Sequence, residues 1–149
     1  MLAVDDSLAG VEAALGGILR QASLRRLHHI VAARAGLTVD RAAFPILARL
    51  REQNRVRLSD LAAALYLSMP TVSRQVRQLE AAGLVERSGD PADGRASLLE
   101  LTREGRRVLD RYRAAWRQVL TEALASWDEG DRVQLAALLR RLADDLGGL

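Results

Sequence analysis

The chain has 149 residues, 49% hydrophobic and 28% charged, which suits one globular domain with a real core rather than a disordered or fibrous chain. It has no cysteine, so disulfide scaffolds, thiolate metal sites and thiol redox sensing are excluded. Its net charge of +3 is unevenly spread: residues 49–117 hold 14 arginines against 9 acids, and the rest of the chain holds 8 against 10. A basic middle points to a polyanion partner, or to nothing more than a solvated surface. The opening MLAVDDSLAG has early acids and no basic stretch, and no run of 18 apolar residues occurs. Neither a signal peptide nor a membrane span is therefore expected, and the expected compartment is the cytoplasm.

Asp5 to Ala35 reads as one long helix, with Leu8, Val11, Leu15, Ile18, Leu19 and Ala22 recurring at three- and four-residue steps and Gly36 at its end. A second helix is predicted to open at Asp40 as N-cap and to carry Phe44, Ile46, Leu47 and Leu50, with Pro45 early in it. After Arg55–Leu58, Ser59 is the predicted N-cap of a short helix marked by Leu61, Ala62 and Leu65. Tyr66-Leu67 turns the chain. Ser68 then caps a further helix with Pro70 in its first turn, a buried stripe of Val72, Val76 and Leu79, and Gly83 as terminator.

The period then changes. Residues 84–87 and 97–101 are strand-like, and the turn-rich segment 90–95, with its Asp-Pro and Asp-Gly dipeptides, joins them as a hairpin with an extended tip. Thr102 is the predicted cap of the next helix, whose stripe runs Val108, Tyr112, Trp116, Val119, Ala123 and Trp127. Ser126 with Glu129 forms a capping-box pattern for the last helix, which carries Leu135, Leu138, Leu139, Leu142 and Leu146 and ends at Gly147-Gly148.

Two short helices joined by a tight turn and followed by a hairpin make a winged helix-turn-helix pattern within a mainly α chain bearing a small β wing. With Val72, Val76 and Leu79 inward, the second of the pair turns Pro70, Thr71, Arg74, Arg77 and Gln78 outward, with no acid before Glu80. Arginine can bridge guanine O6 and N7 in the major groove, and Thr71 can donate to a phosphate or touch a thymine methyl. Ser68 and Thr71 sit at the helix N-terminus, where free amides favour a phosphate.

The stretch RLSDLAAALYLSMPTVSRQVRQLEAAGLVERSGDPADGRASLLELTREG resembles the DNA-binding lobe of the MarR family of transcriptional regulators. The residues that carry the likeness are Leu61-Ala62, Thr71-Val72-Ser73-Arg74, Leu79-Glu80, Gly83-Leu84-Val85, the wing segment Asp90-Pro91-Ala92-Asp93-Gly94-Arg95, and Leu101-Thr102 with Gly105. Tyr66, where the family often has glycine, and Met69-Pro70 depart from the pattern and affect the expected base preference. The resemblance implies that Arg95 enters the minor groove from the wing tip and that Asp93 orients it by a salt bridge. A narrow minor groove concentrates negative potential, which draws in arginine. Plain turn chemistry is the other account of Asp90 and Asp93. Arg57, Arg87, Arg103, Arg106 and Arg107 are candidate phosphate contacts or merely solvated charges.

The resemblance further implies one domain over residues 1–149, with a DNA-binding lobe at 40–101 and dimerisation helices at 5–36 and 102–148. A two-fold homodimer would place two reading helices about 34 Å apart on double-stranded DNA, and hence on a pseudo-palindromic operator. Family members often bind a small aromatic or anionic effector, for which His28, His29, Phe44, Tyr66 and Trp116 are the candidate lining residues. Adjacent histidines on a helix point about 100° apart, so His28 and His29 form no natural metal pair, and neither metal nor cofactor is expected. An enzyme is not expected either, since G-x-S-x-G, H-E-x-x-H and phosphate-loop motifs are all missing from the sequence. The expected function is a ligand-responsive repressor. The alternative is a protein-interaction module that kept the fold without operator binding.

Overall fold

The computed structural model describes residues 2–148, without the side chains of residues 2–5, 21 and 22, so the predicted apolar position Ala22 lies outside the described side chains. The elements in chain order are α1 (Leu2–Leu19), α2 (Gln21–Ala35), α3 (Ala43–Gln53), β1 (Val56–Arg57), α4 (Leu58–Ala64), α5 (Met69–Ala81), β2 (Val85–Asp90), β3 (Asp93–Leu101), α6 (Arg103–Ala123) and α7 (Glu129–Gly147). They form two compact units, residues 1–115 and 116–149, and the second begins within α6.

In the first unit the predicted long N-terminal helix is broken. Arg20 is extended (φ −54°, ψ 127°) between α1 and α2. Gly16-Gly17 lies just before the break, and each glycine costs a helix about 1 kcal/mol relative to alanine. Gly36 ends α2 in the left-handed conformation (φ 63°), and Arg111 on α6 donates to the exposed carbonyls of Ala35 (2.6 Å) and Gly36 (3.1 Å). Asp40 accepts the Ala42 amide at 3.0 Å, which makes it the cap of the turn before α3, whose N-cap is Ala42. Pro45 therefore falls in the first turn of α3, where its missing N–H costs no helical bond.

Ser59 is likewise displaced by the structure: Arg57 is the N-cap of α4, and Ser59 lies inside the helix. The strand pair Val56–Arg57 decides this, because it holds the chain extended up to Leu58 by pairing with Leu98 and Leu99. The sheet is antiparallel in the order β1-β3-β2. Its hairpin is longer than predicted, since β2 and β3 pair out to Asp90 and Asp93 and leave only Pro91-Ala92 at the tip.

The core of this unit joins Phe44, Ile46, Leu47 and Leu50 of α3, Leu61 and Ala62 of α4, Val72, Val76 and Leu79 of α5, and Leu99, Leu101, Val108 and Leu109. Every predicted stripe of the helix-turn-helix is thus buried, except that Leu65 is only half-buried. Thr102 caps α6 as predicted: its hydroxyl accepts the Gly105 amide (3.0 Å) and donates to the Gly83 carbonyl (2.6 Å). On α1, by contrast, Leu8, Val11, Ile18 and Leu19 stay exposed.

In the second unit α6 stops at Ala123, so Trp127 lies in the following turn and not on the helical stripe. The cap of α7 is Asp128, which accepts the Asp131 amide at 2.8 Å, two residues later than the predicted Ser126. A carboxylate at this position also faces the positive end of the helix dipole. No described residue of α7 is buried: Leu138, Leu139 and Leu146 are exposed, and Leu135 and Leu142 are half-buried.

Candidate nucleic-acid interface

The candidate reading face lies on α5. Its inward stripe locks the helix, and the outward side leaves Pro70, Arg74, Arg77 and Gln78 exposed and Thr71 half-buried. Ser68 is the N-cap with extended backbone (φ −70°, ψ 149°), yet its hydroxyl caps no amide. It is hydrogen-bonded to the Thr71 hydroxyl at 2.8 Å. The Arg77 Nε donates back to the Ser73 carbonyl at 3.3 Å, so this side chain lies along its own helix. Arg74 makes no hydrogen bond or ion pair among the described residues.

Tyr66 sets the turn between α4 and α5. It takes a left-handed backbone (φ 52°) that lets Leu67 N reach the Ala62 carbonyl at 3.0 Å, the work a glycine does more cheaply. Its side chain is 91% exposed.

At the wing, each aspartate holds the amide two residues ahead. Asp90 Oδ1 accepts Ala92 N at 2.8 Å, and Asp93 Oδ1 accepts Arg95 N at 3.1 Å. These are the short-reach turns that aspartate makes readily. The Asp93–Arg95 salt bridge implied by the resemblance is not among the ion pairs of the described residues; the carboxylate fixes the backbone of Arg95 and leaves its guanidinium exposed and unpaired.

The five predicted phosphate-contact arginines divide. Arg57 donates through Nε to Asp90 Oδ2 at 2.8 Å, and this pairing raises its own pKa above the ordinary arginine value. Asp90, 8% exposed, is the one buried charged residue among those described, and the Ala92 amide together with Arg57 holds its carboxyl below the usual carboxylate range. Arg87, on β2, is bound to Glu80 of α5 through Nε (3.0 Å) and Nη2 (3.2 Å) and to Ser97 of β3 through Nη1 (3.3 Å), which ties the reading helix to the wing. Its pKa is raised, chiefly by the hydrogen bond to Glu80. Arg107 pairs loosely with Glu104 at 3.6 Å, and Arg103 and Arg106 are exposed and unpaired among the described residues. Arg57 and Arg87 are therefore braces of the lobe. Their partners lie 33 and 7 residues away on other elements, where no local pattern points to them.

The predicted effector residues are not brought together as a set. His28 and Phe44 meet, and Tyr112 joins them: the Phe44 and Tyr112 rings stack at 3.6 Å, and His28 Nδ1 lies 3.2 Å from the Tyr112 hydroxyl. Burial pushes the His28 pKa below its ordinary value. His29 is exposed, Trp116 is half-buried in the second unit, and Tyr66 faces solvent because its left-handed turn throws the ring outward. A cleft of about 210 Å³, which sequence reasoning missed, is lined by Thr38, Val39 and Asp40 and by Gln75, Gln78 and Leu79 of α5. No cluster of metal-ligating side chains occurs among the described residues, and no described helix is long and apolar enough to cross a membrane.

Residues 39–97 match the MarR family profile. The HTH-type transcriptional regulator YxaD of Bacillus subtilis is 31% identical over 104 residues, 70% of this chain and 73% of that protein. The HTH-type transcriptional repressor NicR of Pseudomonas putida is 33% identical over 101 residues, 68% of this chain and 64% of that protein. The structure of BpsR from Bordetella bronchiseptica, whose DNA binding is regulated by 6-hydroxynicotinic acid, is similar with a TM-score of 0.64 and 28% identity, over 87% of this chain and 98% of that one. YxaD is named as an HTH-type transcriptional regulator and NicR as an HTH-type transcriptional repressor. With its winged helix-turn-helix and its exposed arginine face, the chain belongs to the MarR family of DNA-binding transcriptional regulators.

Proposed function

We propose that this regulator is a repressor that binds a pseudo-palindromic operator as a homodimer in the cytoplasm and is released by a small-molecule effector. The observation that carries the DNA-contact assignment is a contrast among its arginines. Arg57 and Arg87 are consumed by Asp90 and Glu80, whereas Arg74 on the reading helix and Arg95 at the wing tip keep unpaired, exposed guanidinium groups. In this reading Arg74 and Gln78 face base edges, with Arg77 beside them once it leaves the Ser73 carbonyl; Ser68 and Thr71 approach a phosphate, and Arg95 enters the minor groove. Arg103, Arg106 and Arg107 remain available to phosphates.

Dimerisation through segments 5–36 and 102–148, flanking the lobe at 40–101, is supported by the apolar side chains that α1 and α7 leave exposed. An apolar stripe of that extent is normally covered by a partner. Effector response is supported by BpsR, whose DNA binding responds to 6-hydroxynicotinic acid, and repression by the name of NicR. The His28–Phe44–Tyr112 cluster joins α2, α3 and α6, so an aromatic ligand there would act where a dimerisation helix enters the lobe.

Fluorescence anisotropy on the DNA flanking its own gene tests the proposal. Binding should weaken steeply as salt rises, with a log–log slope of about −0.9 per neutralised phosphate. Salt-independent or undetectable binding would favour the interaction module instead.

A further inference from the structure

Resting on the DNA-binding reading above, we infer that the first turn of α5 reads thymine methyl groups through Met69 and Pro70, so that each operator half-site carries thymine at the outer edge of the segment read by Arg74. Met69 is 46% exposed and Pro70 is also exposed, at the opening of a helix whose other outward residues are polar. Their neighbours Leu67 and Tyr66 are exposed as well, on the other side of Ser68. Scattered apolar residues on a surface need no explanation, but four of five successive positions (66, 67, 69 and 70) are exposed and apolar where the candidate reading helix begins.

The chemistry of that turn selects its target. Proline has no side-chain or backbone donor, and a thioether is at best a weak acceptor. Ser68 and Thr71 are hydrogen-bonded to each other at 2.8 Å, which uses one of their two hydroxyl donors and leaves the other for a phosphate. Met69 and Pro70 themselves offer no side-chain donor and gain nothing against guanine, adenine or cytosine edges. The thymine C5-methyl is the one apolar group on the major-groove edge. One turn further along, Arg74 and Gln78 are exposed and carry the donors that purines require. The outward side of the helix thus begins with the apolar pair Met69 and Pro70 and continues with the donors Arg74 and Gln78, and the base order follows from that sequence.

The test begins with the full-length chain and selection from random duplexes, followed by replacement of each selected thymine by deoxyuridine, which keeps the base pair and removes only the methyl. One or two uracil positions per half-site should weaken binding about three- to fivefold each, the worth of one buried methyl. In Met69→Ala or Pro70→Ala the same uracil position should cost nothing further, while circular dichroism remains that of the native protein. Uracil tolerated everywhere overturns the inference, and so does a penalty that survives in both variants. Selection that enriches no duplex removes the DNA-binding reading itself and the inference with it, whereas an enriched duplex without a uracil-sensitive position removes the inference alone.

Discussion

Arg57 on β1 reaches across the central strand β3 to Asp90 at the wing end of β2, closing an ion pair with its Nε 2.8 Å from Asp90 Oδ2. The same carboxylate holds the Ala92 amide, so one buried group fixes both the sheet edge and the wing tip.

Asp90→Asn should loosen the wing and lower operator affinity about tenfold, on the order of one lost minor-groove contact. In that background Arg95→Ala should cost less than it does alone, since the wing no longer presents the side chain. Equal costs in the two backgrounds would show the brace to be structural only. Because the Asp90 carboxyl titrates below the ordinary carboxylate range, its contribution to folding is full above the unfolded value, near 4, and is lost as pH falls through the lower folded value. Acid unfolding should therefore be less steep in Asp90→Asn, measured by circular dichroism between pH 5 and 2.

Gly105 is required by close packing and not by its backbone angles. A Cβ there would stand 2.0 Å from the Leu84 carbonyl oxygen, which itself accepts the Thr102 amide. Gly105→Ala should destabilise the lobe by about 3 kcal/mol, at the upper end of overpacking costs. Urea unfolding at unchanged m-value checks this.

Arg74→Ala and Arg95→Ala should both weaken operator binding, but in different ways. Loss of Arg74 should relax the preference for guanine at one position per half-site, at about 1–3 kcal/mol. Loss of Arg95 should lower affinity while leaving major-groove discrimination intact. Competition against single-base operator variants separates the two, and native behaviour in both would remove the site assignment.

Burial beside Phe44 and Tyr112 lowers the pKa of His28. A folded pKa below the unfolded one means that its contribution is complete above about 6.5 and declines as pH falls below that. The thermal midpoint should drop between pH 7 and 5 more in the native protein than in His28→Gln. A parallel decline in both would exclude the histidine as the cause.

Leu138→Asp and Leu139→Asp place charge on the exposed apolar side of α7. If that side is the dimer seam, light scattering should give twice 16.3 kDa for the native chain and 16.3 kDa for the double variant. A native mass of 16.3 kDa would end the dimer proposal.

The helix-turn-helix was legible in the chain because its information is local. The 3.6-residue spacing of Val72, Val76 and Leu79, the extended residue before α5 and the glycine after it each act within a few positions. The wing was legible for the same reason, since Asp90-Pro91 marks a turn locally, although Asp93-Gly94, read as part of that turn, opens β3. Helical periodicity also put Arg74 on the outside, and the resemblance to the MarR family put Arg95 at the wing tip. Only the tertiary structure decided which arginines stay free. Arg57 and Arg87 look no different from Arg103 in a linear chain, and they are withdrawn by Asp90 and Glu80 because strand pairing and helix packing bring those carboxylates within reach. Ion pairing depends on distance in space, and no local pattern encodes it.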